Sequence, residues 1–166
     1  MHLENFTRDD FDSLISWITD EKFLVQWCGK TFQYPLDHSQ LEEYIKASES
    51  EPPTRQIYKA VDENDSYVGN ISLERIDREN KTASIACVIV KESEQGKSVG
   101  EFMMNEVIKL AKEKFGITKL SLNVFDFNLP AIRCYEKCGF EITEQTKVKY
   151  VIGEFVNLKM TNIADI

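Results

Sequence analysis

The succession of apolar and polar positions divides the chain into elements of different period. From Ala83 to Val90 the residues Ala-Ser-Ile-Ala-Cys-Val-Ile-Val are uncharged and rich in β-branched side chains, the composition of a strand covered on both faces. A polar stretch, Lys91 to Glu94, leads into Gln95-Gly96-Lys97-Ser98-Val99-Gly100. The period then changes. Val99, Phe102, Met103, Val107, Leu110 and Ala111 recur on one helical stripe, and Phe115-Gly116 closes it. Residues 117–125 alternate again, with Leu120, Leu122 and Val124 on one side. Strand, helix, strand makes a βαβ unit, so its two strands are expected to be parallel. Upstream, 56–62 and 67–77 read as strands joined by the turn Glu63-Asn64-Asp65-Ser66, and Asp77-Arg78-Glu79-Asn80 turns the chain into 83–90. Those three strands form an antiparallel meander. A short strand is expected at 3–6. Thr7-Arg8-Asp9-Asp10 forms a capping box ahead of Phe11, Leu14, Ile15 and Ile18 at helical spacing. A second short helix covers 21–27, and Ser39-Gln40-Leu41-Glu42 reads as a capping box for a third. A last helix spans roughly 130–137, and strands at 140–146 and 150–160 close the chain as a hairpin.

The chain has 166 residues, which predicts one domain, 1–166, with a core that needs no metal or disulfide. Its net charge of −8 has the wrong sign for non-specific binding to nucleic acid. No apolar run is long enough to cross a bilayer, and the first residues carry no basic start with an apolar segment behind it. The expectation is a cytoplasmic protein. Cysteines stand at 28, 87, 134 and 138 with no C-x-x-C pair and only His2 and His38 as nitrogen donors. No metal site is expected, and all four cysteines are read as reduced thiols in or near the core.

The turn at 95–100 is the first candidate for chemistry. Two glycines at the start of a helix offer free backbone N–H groups at the positive end of the helix dipole, and Lys97 adds a cation, so the turn is a phosphate site. Gly96-Lys97-Ser98 spells the end of a nucleotide-binding P-loop, but that motif needs a glycine five residues earlier, where Lys91 stands. Glu92 and Glu94 would also face a triphosphate with the wrong charge. The dinucleotide fingerprint fails on glycine spacing.

A second stretch, Asn128-Leu129-Pro130-Ala131-Ile132-Arg133-Cys134-Tyr135-Glu136-Lys137-Cys138-Gly139-Phe140, resembles the N-x-x-A-x-x-x-Y-x-x-x-G-F motif of the GNAT acetyltransferase superfamily. Gln95 to Gly100 resembles that family's Q/R-x-x-G-x-G/A loop, one helix and one strand earlier, with Ser98 where the family has its middle glycine. The region from Trp27 to Tyr44 is similar to the Rim-type subgroup, which acetylates protein N-termini. The resemblance implies an α+β fold: a mixed, mostly antiparallel sheet of six to seven strands, splayed between its two central parallel strands and flanked by about four helices. It implies an acyl-CoA-dependent N-acetyltransferase that moves the acetyl group of acetyl-CoA directly to a primary amine, on a small molecule or a peptide N-terminus, and releases coenzyme A. Val88, Ile89 and Val90 would hold the pantetheine arm through their backbone. Gln95, Gly96, Lys97, Ser98, Val99 and Gly100 would cradle the pyrophosphate. Asn128 caps its helix and would also bond the pantetheine arm, and Tyr135, two helical turns on, would give a proton to the leaving thiolate.

Many family members carry a carboxylate at the start of the central strand, where this chain has Ser84. Glu74 and Asp126 are the candidate bases, with water or an acceptor bound already neutral as alternatives. Trp27 and Tyr34, with Glu74 and Asp126, are the candidate lining of the acceptor pocket. A homodimer through the C-terminal hairpin is the candidate assembly. The rival class is a non-catalytic acyl-CoA-binding sensor of the same fold.

Overall fold

The meander, the crossover and the hairpin join edge to edge in one sheet. The computed structural model describes residues 1–163. Its strands are β1 His2–Asn5, β2 Gln56–Val61, β3 Tyr67–Asp77, β4 Thr82–Val90, β5 Lys119–Phe125, β6 Glu141–Tyr150 and β7 Gly153–Ile163. They lie in the order β1-β2-β3-β4-β5-β7-β6. Only β4 and β5 are parallel, as a βαβ unit requires; every other neighbouring pair is antiparallel. The helices are α1 Phe11–Trp17, α2 Glu21–Cys28, α3 His38–Glu49, α4 Val99–Phe115 and α5 Leu129–Lys137. The mixed α+β fold read from the sequence is therefore the observed one, with seven strands and five α-helices among the described residues.

Each face of the sheet has its own core. Helices α4 and α5 cover one face, where Met103, Met104, Val107 and Ile132 meet Val68, Ile71, Leu73 and Leu122. Helices α1 to α3 cover the other, where Phe11, Leu14, Leu24 and Leu41 meet Ile57 and Ile89. Leu24 and Leu41 are 1% and 0% exposed, each removed from water with a gain of about 2–3 kcal/mol. The long stripe of α4 approaches β3 closely because Gly69 has no side chain: a Cβ there would lie 2.8 Å from Met103 Sδ.

Two expectations need correction. Helix α3 begins at His38, with its cap two residues before the one expected at Ser39. Asp37 is its cap, and its Oδ1 accepts from Gln40 N at 2.9 Å, which leaves Ser39 already helical. The cysteines are not all thiols. The C-terminal end of α2 lands on β4, and Cys28 and Cys87 are joined in a disulfide with their Cα atoms 4.9 Å apart. Their separation of 59 residues carries no spacing signal, because only the packing of α2 on β4 brings them together. Cys134 and Cys138 are free.

Candidate active site

The parallel pairing that holds β4 to β5 is short. It joins Thr82 to Lys119, Ala83 to Leu120 and Ser84 to Ser121, and stops. Beyond that point β4 runs on to Val90 and β5 to Phe125 with no bonds between them, so a wedge-shaped gap opens in the middle of the sheet. At its apex Ser84 Oγ and Ser121 Oγ are 3.2 Å apart. Each lip is held from outside. β5 is paired along its whole length with β7, and β4 with β3. β4 is also irregular: it has one residue more than β3 between the pairs Asn70–Ile89 and Ser72–Ala86, and Cys87 within that bulge has φ +51°.

The loop from β4 to α4 follows the lip. Glu92–Glu94 makes a 3-10 turn, then Gly96 (φ +79°) and Ser98 (φ +62°) both take the left-handed conformation before α4 starts at Val99. Backbone that alternates hand in this way turns successive N–H groups toward one concavity, at the positive end of a 17-residue helix. The space beside Gly96 is open, since a Cβ there would meet nothing within 4 Å. These residues fit a diphosphate. Lys97 Nζ rests 3.1 Å from Glu94 Oε2 on the exposed rim. The left-handed turn at Ser98 explains why glycine is expected there: it frees φ, and a serine holds the same conformation under strain.

On α5, Asn128 Oδ1 accepts from Ala131 N at 3.4 Å, which is the cap read from the sequence. Tyr135 is 8% exposed, and its hydroxyl has no hydrogen-bond partner among the described residues. Burial pushes its phenol pKa up, and the neighbouring Cys134 and Cys138 sulfurs add to the shift. It therefore keeps its proton throughout the neutral range.

A cavity of about 630 Å³ opens beside the gap, bounded by the end of α2, by β3 and β4, by β5, and by the tip of the β6–β7 hairpin. Trp27 and Glu74, two of the four expected pocket residues, line it. The other two belong to other surfaces. Tyr34 is 44% exposed, and its hydroxyl donates to Thr19 O. Asp126 lies in the exposed turn after β5, its N–H bonded to Val156 O. Tyr135 and the 95–100 loop are likewise outside the residues that bound the cavity.

Glu74 is held from two sides. Tyr44, on α3, donates its hydroxyl to the Glu74 carboxylate, and its oxygen accepts from Ser72 Oγ at 2.8 Å. Arg55 brings its Nε to 3.4 Å from Glu74 Oε1, near enough for an ion pair but not aligned for a hydrogen bond. The Arg55 guanidinium stacks over the Tyr44 ring at 3.9 Å, and its Nη1 donates to Tyr44 O. Burial, then the charge of Glu74, pushes the Tyr44 pKa well above its ordinary value, so this hydroxyl is a permanent donor.

The sequence did not disclose the rest of the lining. Tyr150 and Val148 arrive from the hairpin, and the disulfide brings in Cys28 and Cys87. Arg75 next to Glu74 defies strand alternation, which would send it to the opposite face; the irregular pairing of β3 could be inferred only from coordinates.

Comparison with known proteins agrees with this arrangement. The family model described as "Acetyltransferase (GNAT) family" matches residues 12–140. A putative phosphinothricin acetyltransferase of Bacillus subtilis is 33% identical over 90 residues, 52% of this chain, which spans 54% of that relative's length. An L-amino acid N-acetyltransferase of Escherichia coli is 28% identical over 75% of this chain and 74% of its own. The crystal structure of a spermidine N-acetyltransferase from Vibrio cholerae, in complex with CoA and spermine, superposes with a TM-score of 0.82 at 19% identity, covering 96% of this chain and 93% of that one. With the family model matched over most of its length and the fold shared, the chain belongs to the GNAT acetyltransferase family, whose members are acyl-CoA-dependent acetyltransferases with acetyl-CoA as donor.

Proposed function

We propose that the chain, as one domain over 1–166, transfers the acetyl group of acetyl-CoA to a primary amine without a covalent enzyme intermediate. The observation that carries this is the gap between β4 and β5 lying next to a left-handed loop that begins α4. Acetyl-CoA supplies an acetyl group activated as a thioester. Backbone groups of Val88, Ile89 and Val90, on the free edge of β4, bind an extended chain as an added strand would. Backbone N–H groups from Gln95 to Gly100 hold the diphosphate, and Lys97 lends charge at the rim. Asn128 spends its carbonyl on the α5 cap and keeps its NH₂ for the ligand arm.

Transfer forms a C–N bond, breaks a C–S bond, takes a proton from the amine and returns one to sulfur. Tyr135 Oη holds the proton for sulfur; its raised pKa keeps it protonated and ready. Glu74, pinned by Tyr44 and Arg55, stands opposite Ser84 in the β3–β4 register, and it accepts the amine proton directly or through water. The acceptor is a small molecule or, by the Rim-type likeness of residues 27–44, a peptide N-terminus. The cytoplasm is the proposed compartment; there the Cys28–Cys87 bond would be open for much of the time. Self-association through the hairpin is supported by β6, an edge strand exposed along most of its length.

One observation favours a second reading, an acyl-CoA sensor: serines replace both the loop glycine and the strand carboxylate. Calorimetry with coenzyme A, followed by an assay for thiol release from acetyl-CoA with mixed amines, separates the two. Heat of binding plus thiol release supports the enzyme. Heat without release for any amine supports the sensor, and no heat overturns both.

A further inference from the structure

The cavity contradicts the charge of the chain that contains it. The protein carries −8 overall, yet the charged side chains lining the cavity are Lys30, Arg55 and Arg75 against Glu74 alone. Glu74 is already engaged by Arg55 and Tyr44. Lys30 Nζ lies 5.4 Å from the centre of the Tyr150 ring, and neither Lys30 nor Arg75 has a carboxylate within 4 Å among the described residues.

Arg75 is where it is because β3 is irregular. The strand pairs Glu74 with Ser84 and Asp77 with Thr82, so β3 spends one residue more than β4 over this stretch. Arg75 takes φ +49°, a conformation that costs an L-residue about 1–2 kcal/mol. Regular alternation would put Glu74 and Arg75 on opposite faces, whereas both line the one cavity. Bulges of this kind re-aim side chains beside functional sites. The guanidinium then donates Nη2 to Ser84 Oγ at 2.9 Å, which fixes it at the apex of the gap with its remaining N–H groups unspent. Two further donors in lining residues, Trp27 Nε1 and Arg55 Nε, are buried without a hydrogen-bond acceptor. The cavity thus sets three cations and two unpaired buried donors against a single carboxylate, the inverse of what a polyamine needs.

We propose that the acceptor cavity selects amines that carry an anionic group, a carboxylate above all, and that Arg75 is the specificity-determining residue. This rests on the acetyltransferase reading. A carboxylate held by the Arg75 fork, with Arg55 and Lys30 adding field, leaves the amine of an amino acid-like molecule near the apex of the gap.

The test uses two readouts, so that its failure and the failure of the acetyltransferase reading are separable. The first is binding, by calorimetry on the coenzyme A-loaded protein. The probes are L-methionine, L-phenylalanine and L-glutamate, each against its own α-carboxamide, with spermidine as the polycation. The second is thiol release from acetyl-CoA with the same probes. We expect at least one acid to bind about tenfold or more tightly than its carboxamide, and to be turned over in preference to spermidine. The carboxamide has the less basic amine, so any bias in turnover runs against the proposal. Arg75→Gln should remove the preference for the acid while coenzyme A still binds, which shows that the variant is folded. Acid binding that depends on Arg75, without turnover of any probe, would support the inference and defeat the enzyme reading. Equal affinity for acids and carboxamides, preference for spermidine, no binding of any probe, or an Arg75→Gln variant that weakens every probe alike would each overturn the inference.

Discussion

Replacing Ser98 with glycine should stabilise the protein, although the change deletes a side chain at a ligand-binding loop. Ser98 has φ +62° and ψ +16° at the start of α4, and its hydroxyl makes no capping bond. It is exposed, so no packing is lost with it. The left-handed conformation costs serine about 1–2 kcal/mol, and glycine is free of that cost. Glycine also loosens the unfolded chain, which returns roughly 0.5–1 kcal/mol of the gain. The expected net is about 0.5–1 kcal/mol, a rise in melting temperature of about 1–4 °C for a chain of this size. Thermal unfolding followed by circular dichroism measures it, with Ser98→Val as the opposite arm; a β-branched residue there should lower the melting point. Coenzyme A affinity should be unchanged or higher in Ser98→Gly, because the backbone donor survives. A lower melting temperature for the glycine variant would mean that the hydroxyl does something the hydrogen bonds do not reveal, and the strain account would fall.

Three other outcomes are expected. Tyr135→Phe removes a hydroxyl with no partner among the described residues, so stability should change by less than about 1 kcal/mol while kcat falls on the order of 10²-fold or more; an unaltered kcat would remove Tyr135 from the chemistry. Burial raises the pKa of Tyr44, Tyr67 and Tyr135, with Glu74 adding to the shift at Tyr44 and Asp10 at Tyr67. Below about pH 10 these phenols are protonated folded or unfolded, and stability is flat. Above it the unfolded chain releases protons that the fold retains, so stability should drop by about 3 kcal/mol from the three together between pH 10 and pH 11, visible as a urea midpoint about 1.5 M lower at pH 11; equal midpoints would count against burial as the cause. Opening the Cys28–Cys87 bond with a reductant, or by Cys28→Ser, frees a loop of about 60 residues and should cost about 4 kcal/mol, a fall in melting temperature on the order of 10 °C, whereas an unchanged transition would show that the bond does not form in solution.

How much of this was readable before coordinates depended on the range over which each signal acts. The strand–helix–strand order and the two-glycine turn came from neighbouring residues, so the parallel pair β4–β5 and the start of α4 emerged as expected. Tyr44 carried no signal of a role at the site, and its hydroxyl proved to be the donor that fixes Glu74, a link made across 30 residues. Of the four residues named as candidate lining, Glu74 and Trp27 border the cavity and Tyr34 and Asp126 do not; an aromatic loop and a strand-end carboxylate look alike in sequence whether they face a cavity or solvent. Arg75 could not have been assigned: the face of a strand follows from parity, and an inserted residue reverses parity without leaving a trace in the pattern. The disulfide was missed for the same reason that the hairpin's contribution was, since both depend on contacts between segments far apart in the chain.

The seat of β7 between β5 and β6 bears on how the molecule comes into being. The strand that backs one lip of the gap leaves a ribosome after both strands that it must join. Until residues 153–163 emerge, β5 has three pairs on one side and a bare edge on the other, while β1 to β4 can already close on one another. The nascent chain therefore waits with half a cleft and an open template for stray strands, and competence to hold a ligand arrives only once β7 has emerged to cover that edge.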